Sequence, residues 1–218
     1  PRDGVPDQAH AMNDALTGQT VELLQHLIRN QCVNDGSVAS GQEVRTTDVL
    51  RTYLHGSGLD LEVYEPDGAP GRTSLVARIE GSDPAAPTLC LMGHTDVVPV
   101  TPETWTRDPF GGELVNGEVW GRGAVDMLNL TASQAVALKA LAKKGWRPRG
   151  TLFYLACADE EAGGLHGAGV TEITMLLNSR GTAAREILRR AVPEVRWTFL
   201  VKDTPASCQH DLVLRGFL

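Results

Sequence analysis

Three separated stretches of this sequence carry side chains that hydrolytic metal chemistry uses. They are Gly93-His94-Thr95-Asp96, Gly121-Arg122-Gly123-Ala124-Val125-Asp126 and Asp159-Glu160-Glu161-Ala162-Gly163-Gly164. An imidazole combined with several carboxylates is a donor set that borderline divalent ions such as zinc accept readily. Side chains alternate along a strand, so a His and an Asp two residues apart share a face. His94 can then offer one ring nitrogen to a metal while Asp96 orients the ring through the other, a support that metal-bound histidines commonly receive. Asp126 is a candidate bridging anion between two ions. Neighbouring side chains seldom aim at one point, so one of Glu160 and Glu161 can bind metal while the other takes a proton from water.

Each stretch also has an ordinary structural explanation. A His-x-Asp pair can be a strand end with an incidental hydrogen bond. Asp126 can be a helix N-cap, a position that favours Asp. Glu160-Glu161 can be a solvated loop before two glycines. Taken one at a time, these explanations are the better ones. Taken together, with the residues placed at strand and helix ends of one α/β pattern, they favour a site.

That pattern can be read along the chain. Residues 1–16 are polar without a clear period and read as a loose arm. Residues 20–30 place Val21, Leu23, Leu24, Leu27 and Ile28 in a helical stripe, and 43–54 read as a second helix ending near Gly56 and Gly58. Leu59 to Tyr64 alternates apolar and polar side chains, as an edge or half-exposed strand does. Residues 74–79 form a second strand. Thr88-Leu89-Cys90-Leu91-Met92 reads as a buried strand leading to His94. Asn116-Gly117 between Glu113-Leu114-Val115 and Glu118-Val119-Trp120 is a hairpin signal. Asp126 opens a helical pattern that runs to residue 144, with Gly145 as its stop. Residues 151–157 form a continuous apolar strand that ends in Asp159-Glu160-Glu161. Beyond it, 171–191 read as helix and 196–201 as strand. Apolar strands separated by helices predict an α/β sandwich with a largely covered sheet. In such sheets ligands collect beyond the carboxyl ends of the strands.

Composition narrows the function classes. The 218 residues suffice for one large domain, and 42% hydrophobic with 22% charged residues is ordinary for a globular chain. A net charge of −7 argues against a nucleic-acid binder. No apolar run approaches a bilayer span, which argues against a membrane protein, and the polar start lacks a signal-peptide core. The four cysteines, Cys32, Cys90, Cys157 and Cys208, form no CxxC pair, so a reducing, cytoplasmic setting is expected.

Four stretches carry a family resemblance. They are Gly93-His94-Thr95-Asp96-Val97-Val98-Pro99, then Trp105 with Asp108-Pro109-Phe110, then Gly117 and Val119-Trp120-Gly121-Arg122-Gly123 with Asp126-Met127, then Asp159 to Gly164. In order and wording they resemble the aminoacylase / carboxypeptidase G / succinyl-diaminopimelate desuccinylase family of di-zinc metallopeptidases, over residues 18–169. The resemblance implies an α/β/α sandwich of the zinc-dependent exopeptidase type, with a mixed sheet and the lid/dimerisation domain absent. Residues 1–17 would be an N-terminal arm, 18–169 the N-terminal part of the catalytic domain, and 170–218 a divergent tail packed on it. It implies two zinc ions, with cobalt or manganese as substitutes, and hydrolysis of an amide in a small N-acyl amino acid or dipeptide-type substrate. By the same resemblance His94 and Glu161 bind metal, Asp126 bridges, Glu160 is the general base and Asp96 orients His94. The expected partner is the small-molecule substrate, with homo-oligomerisation a further expectation.

The sequence also departs from that family. Its members are longer and supply a further acidic ligand after the Glu-Glu pair and a final His near their C-terminus. Glu172, Glu186 and Glu194 are candidates for the former and His210 for the latter, whereas His166 sits too close to Glu161 to substitute. Leu128 stands where the family usually has Lys. A rival reading is therefore a catalytically inactive, truncated remnant that keeps the fold with at most partial metal binding. A metal-dependent phosphoesterase fits less well, because no Arg/Lys cluster or phosphate loop is present.

Overall fold

A computed structural model describes residues 8–167, with side chains from residue 15 onward. The expected helix over 171–191, the strand over 196–201, and Glu172, Glu186, Glu194 and His210 lie outside the described residues.

The first helix, α1 (Gln8–Arg29), begins well before the stripe that announced it. Residues 8–16, read from sequence as part of a loose arm, are helical instead. They lack an amphipathic period, but Gln8, Ala9, Ala11, Met12, Ala15 and Leu16 are strong helix formers that extend the amphipathic segment. Leu23, Leu24, Leu27 and Ile28 are buried as the stripe requires. The second helix, α2 (Val44–Leu54), follows the sequence reading closely.

Four strands form the main sheet among the described residues: β1 (Asp60–Tyr64), β2 (Ser74–Ile79), β3 (Leu89–His94) and, later in the chain, β6 (Leu152–Cys157). Their order is β1-β2-β6-β3, antiparallel except for the parallel β3–β6 pair, so the sheet is mixed. The hairpin β4 (Glu113–Val115) and β5 (Glu118–Trp120) turns at Asn116 and Gly117, with φ of 52° and 85°. Positive φ at both central residues is what a type I′ turn demands.

One expectation needs correction. The apolar run before His94 reads as a buried strand, yet β3 lies at the end of the sheet order, and Leu89 and Cys90 are exposed. Apolar content specifies a strand but not its neighbours. Among the described residues β3 pairs only with β6. Burial rises along the strand and is complete at Gly93 and His94.

The third helix, α3 (Leu128–Lys143), ends in a Schellman motif: Trp146 N–H donates to Leu141 O and Gly145 N–H to Ala142 O, with Gly145 at φ 65°. It connects parallel β3 and β6 as a crossover, with the hairpin inserted ahead of it. Alternate strand residues Leu75, Ala77, Leu152, Tyr154 and Ala156 join α1, α2 and α3 in the principal core. On the opposite face Val76, Leu155 and Cys157 form a smaller cluster with Tyr64, Met92 and Phe153. No helix among the described residues is long and apolar enough to cross a membrane.

Candidate metal centre

Parallel pairing of β3 with β6 puts their carboxyl ends side by side. His94 lies in register with Cys157, three residues before Glu160. The chain then links the two ends further: the Thr95 N–H and hydroxyl both donate to Cys157 O, at 2.9 and 3.0 Å.

The start of α3 is fixed against the same strand end. Thr131 Oγ1 donates to His94 O at 2.7 Å, and the buried Tyr154 hydroxyl donates to Thr131 O at 2.9 Å. Glycine at 93 allows this close approach, because a Cβ there would sit 2.6 Å from Thr131 Oγ1. This docking brings Asp126, just ahead of α3, to the Nε2 edge of the His94 ring. Met127 occupies the N-cap, and no side chain caps the helix, so Asp126 is not held as a cap. Asp126 is highly exposed, with 78% of its side chain accessible, and the Asp126–Met127 peptide is cis.

His94 itself is buried. Its Nδ1 lies 2.9 Å from the Asp96 backbone oxygen, an acceptor, so Nδ1 carries the proton. Its other ring nitrogen, Nε2, faces Asp126 Oδ1 at 3.2 Å, with Glu160 Oε2 at 3.6 Å. One donor atom from each of His94, Asp126 and Glu161 lies within 4.8 Å of the others, a group that could hold a metal ion. The donor set of one neutral imidazole nitrogen and two carboxylates suits zinc and its first-row neighbours.

The electrostatics fit a cation. Burial of the His94 ring favours its neutral form, but Asp96, Glu160 and Glu161 outweigh that and hold its pKa above the ordinary imidazole value. Burial pushes the Glu161 carboxyl up; His94 opposes this, while Asp126, Asp96 and Glu160 add to it. A divalent ion among these groups would favour the ionised form of Glu161.

Asp96 differs from the sequence reading in how it acts. Its carboxylate is 3.6 Å from Nδ1, and the backbone carbonyl orients the ring instead. The carboxylate, completely buried, accepts N–H bonds from Glu160 at 3.1 Å and Glu161 at 3.0 Å. Asp96 therefore fixes both the imidazole and the Glu-Glu turn, through different atoms.

Sequence reasoning missed the residues behind Asp96. Asn34 Nδ2 donates to Asp96 Oδ2 at 2.7 Å and to Asp159 Oδ1 at 3.1 Å. Asn34 is placed by a short parallel bridge, in which its N–H donates to Val97 O and Val97 N–H to Cys32 O. Behind it, buried Arg72 binds Glu43 and Asp159. The glycines around Asn34 read as an ordinary loop, and Arg72 is a single charge before a strand, so neither stood out. His166 lies outside the metal-type cluster, and its backbone N–H donates to Asp159 Oδ2 at 2.8 Å. Leu128 packs into the core.

Comparison with known proteins bears on the family and the fold. The model of peptidase family M20/M25/M40 matches residues 90–195, which runs past Gly169, where the sequence resemblance fades. Succinyl-diaminopimelate desuccinylase of Rhodopseudomonas palustris is 37% identical over 155 residues, covering 69% of this chain and 38% of the relative. The enzyme of the same name from Methylobacterium sp. is 42% identical over 155 residues, with 69% and 37% covered. The chain thus spans well under half the length of these relatives. In structure it is similar to human carnosine dipeptidase 1, with a TM-score of 0.59 at 21% identity over 76% of this chain and 37% of that one. The di-peptidase Dug1p of Saccharomyces cerevisiae aligns with a TM-score of 0.56 at 23% identity, over 78% and 37%.

Proposed function

This chain belongs to peptidase family M20/M25/M40, and on that premise we propose that it serves amide hydrolysis at a divalent metal centre. The substrate class is a small N-acyl amino acid or dipeptide-type molecule. The observation that carries the reading is the convergence of His94 Nε2, Asp126 and Glu161 beyond the carboxyl ends of two parallel strands. Relatives named as desuccinylases and structural neighbours named as dipeptidases support the bond type.

In this reading His94, Asp126 and Glu161 would hold the metal, with Asp126 the residue that two ions would share. Zinc is the expected ion, with cobalt or manganese as substitutes. When bound, the metal supplies Lewis-acid polarisation of the scissile carbonyl and acidifies a water molecule. The chain's own residues do the rest. The Asp96 carbonyl keeps the His94 proton on Nδ1, so Nε2 stays available as a donor. Glu160, half-exposed and facing His94, accepts the proton of the attacking water and returns it to the leaving amine.

The test is hydrolysis of a panel of N-acyl amino acids and dipeptides with zinc or cobalt added, comparing wild type with Glu160→Gln. The expected result is metal-dependent cleavage that falls by about 10²–10⁴-fold in the variant, the usual contribution of a positioned base. Cleavage that ignores both metal and the substitution contradicts the reading.

A further inference from the structure

Arg72 is the largest fully buried side chain among the described residues, 1% exposed. Its guanidinium reaches three segments. Nε donates to Glu43 Oε2 at 2.7 Å and Nη2 to Glu43 Oε1 at 2.9 Å, a two-armed pair. Nη2 also donates to Asp159 Oδ1 at 2.7 Å, and Nη1 to Ser37 O at 3.2 Å. Glu43 completes the ring, because its Oε1 accepts the Asp159 N–H at 3.2 Å.

Asp159 is the residue before the Glu160-Glu161 pair, and it sits in the left-handed region at φ 62°. Asp tolerates that conformation better than most side chains, but it still costs energy that the surroundings must offset. Here Arg72, Asn34 and the His166 N–H bind its carboxylate, and Glu43 binds its backbone. The left-handed turn starts the short 3-10 segment Glu160–Ala162, whose first two N–H groups meet the Asp96 carboxylate. Both acidic side chains are thereby delivered to His94.

A buried ion pair is weak evidence for stability, since desolvation offsets much of its attraction. Its placement says more. Within this network Arg72 is the one guanidinium among three buried carboxylates, Glu43, Asp96 and Asp159. We propose that Arg72, seated on Glu43, is a positioning residue: it clamps Asp159 in its left-handed conformation and so aims Glu160 and Glu161 at the metal centre. The inference rests on the reading of those two glutamates as working residues, and it adds the device that places them.

The experiment compares wild type with Arg72→Met and Arg72→Lys in metal-free protein by amide hydrogen exchange. Lys keeps the charge but not the planar fork, and it carries the comparison if the Met variant does not fold. The Glu160 and Glu161 amides are expected to exchange about tenfold faster relative to the Leu155 amide in β6, since loss of the clamp opens the turn locally. Equal acceleration at all three amides, the signature of a plain core stabiliser, overturns the proposal, as does no change. Cobalt titration supplies the second readout, with affinity expected to weaken about 10–100-fold as for other residues that support metal ligands. Unchanged cobalt affinity in folded Arg72→Lys also overturns the clamp. If wild type binds no cobalt, the metal-centre reading falls, while the amide comparison still decides the clamp.

Discussion

Asp96 shows how one residue can hold two segments of the candidate site through different atoms. Its carbonyl sets the His94 tautomer, and its carboxylate accepts the N–H groups of both Glu160 and Glu161. Asp96→Asn tests the division of labour. An asparagine leaves the backbone carbonyl in place but offers one acceptor oxygen where the carboxylate offers two, and its amide group faces an N–H donor. The variant is expected to remain folded, with the His94 tautomer retained and metal affinity reduced about 10–100-fold. Imidazole nitrogen NMR reads the tautomer, and calorimetric titration reads the affinity. Loss of the Nδ1-protonated tautomer in the variant contradicts this account.

At the scale of elements, the candidate residues converge because β3 and β6 run parallel and α3 docks at their shared end. Gly93 is the closest approach in that docking. Gly93→Ala brings a Cβ within 2.6 Å of Thr131 Oγ1 and 3.4 Å of its Cα. Such overpacking costs on the order of 1–3 kcal/mol. Urea denaturation is expected to show that loss, accompanied by weaker metal binding because α3 carries Asp126 with it. Full stability in the variant counts against the docking. The sequence made the strands, the hairpin and the α2 and α3 helices legible because periodicity and turn residues are local signals. The stretches that hold His94, Asp126 and Glu161 stood out because their motifs are distinctive, and the fold brings these three residues together. The place of β3 at the end of the strand order among the described residues was not legible, since pairing partners are set by the whole sheet. Neither was the chain from Asn34 through Asp159 to Arg72 and Glu43, which joins segments up to 125 residues apart. Its members are individually common residue types in loops and at element ends, and only the fold gives them a shared purpose.

At the scale of the molecule, the buried face of the site holds more negative than positive charge. Asp96, Asp159 and Glu43 are buried beside a single guanidinium and one imidazole. A bound divalent ion should therefore stabilise the whole fold by mass action, by about 2.7 kcal/mol when free metal is a hundredfold above its Kd. Thermal unfolding is expected to shift upward with zinc or cobalt and downward with chelator, with little shift for Asp126→Ala. A metal-induced shift of equal size in that variant places the ion elsewhere. The most direct test of the central claim is metal content per chain, measured by elemental analysis on wild type and Asp126→Ala after exposure to zinc and removal of the excess. The account predicts bound zinc in the wild type and its loss in the variant, because Asp126 supplies one of the three converging donors. A wild type that holds no zinc, or a variant that holds as much, contradicts it.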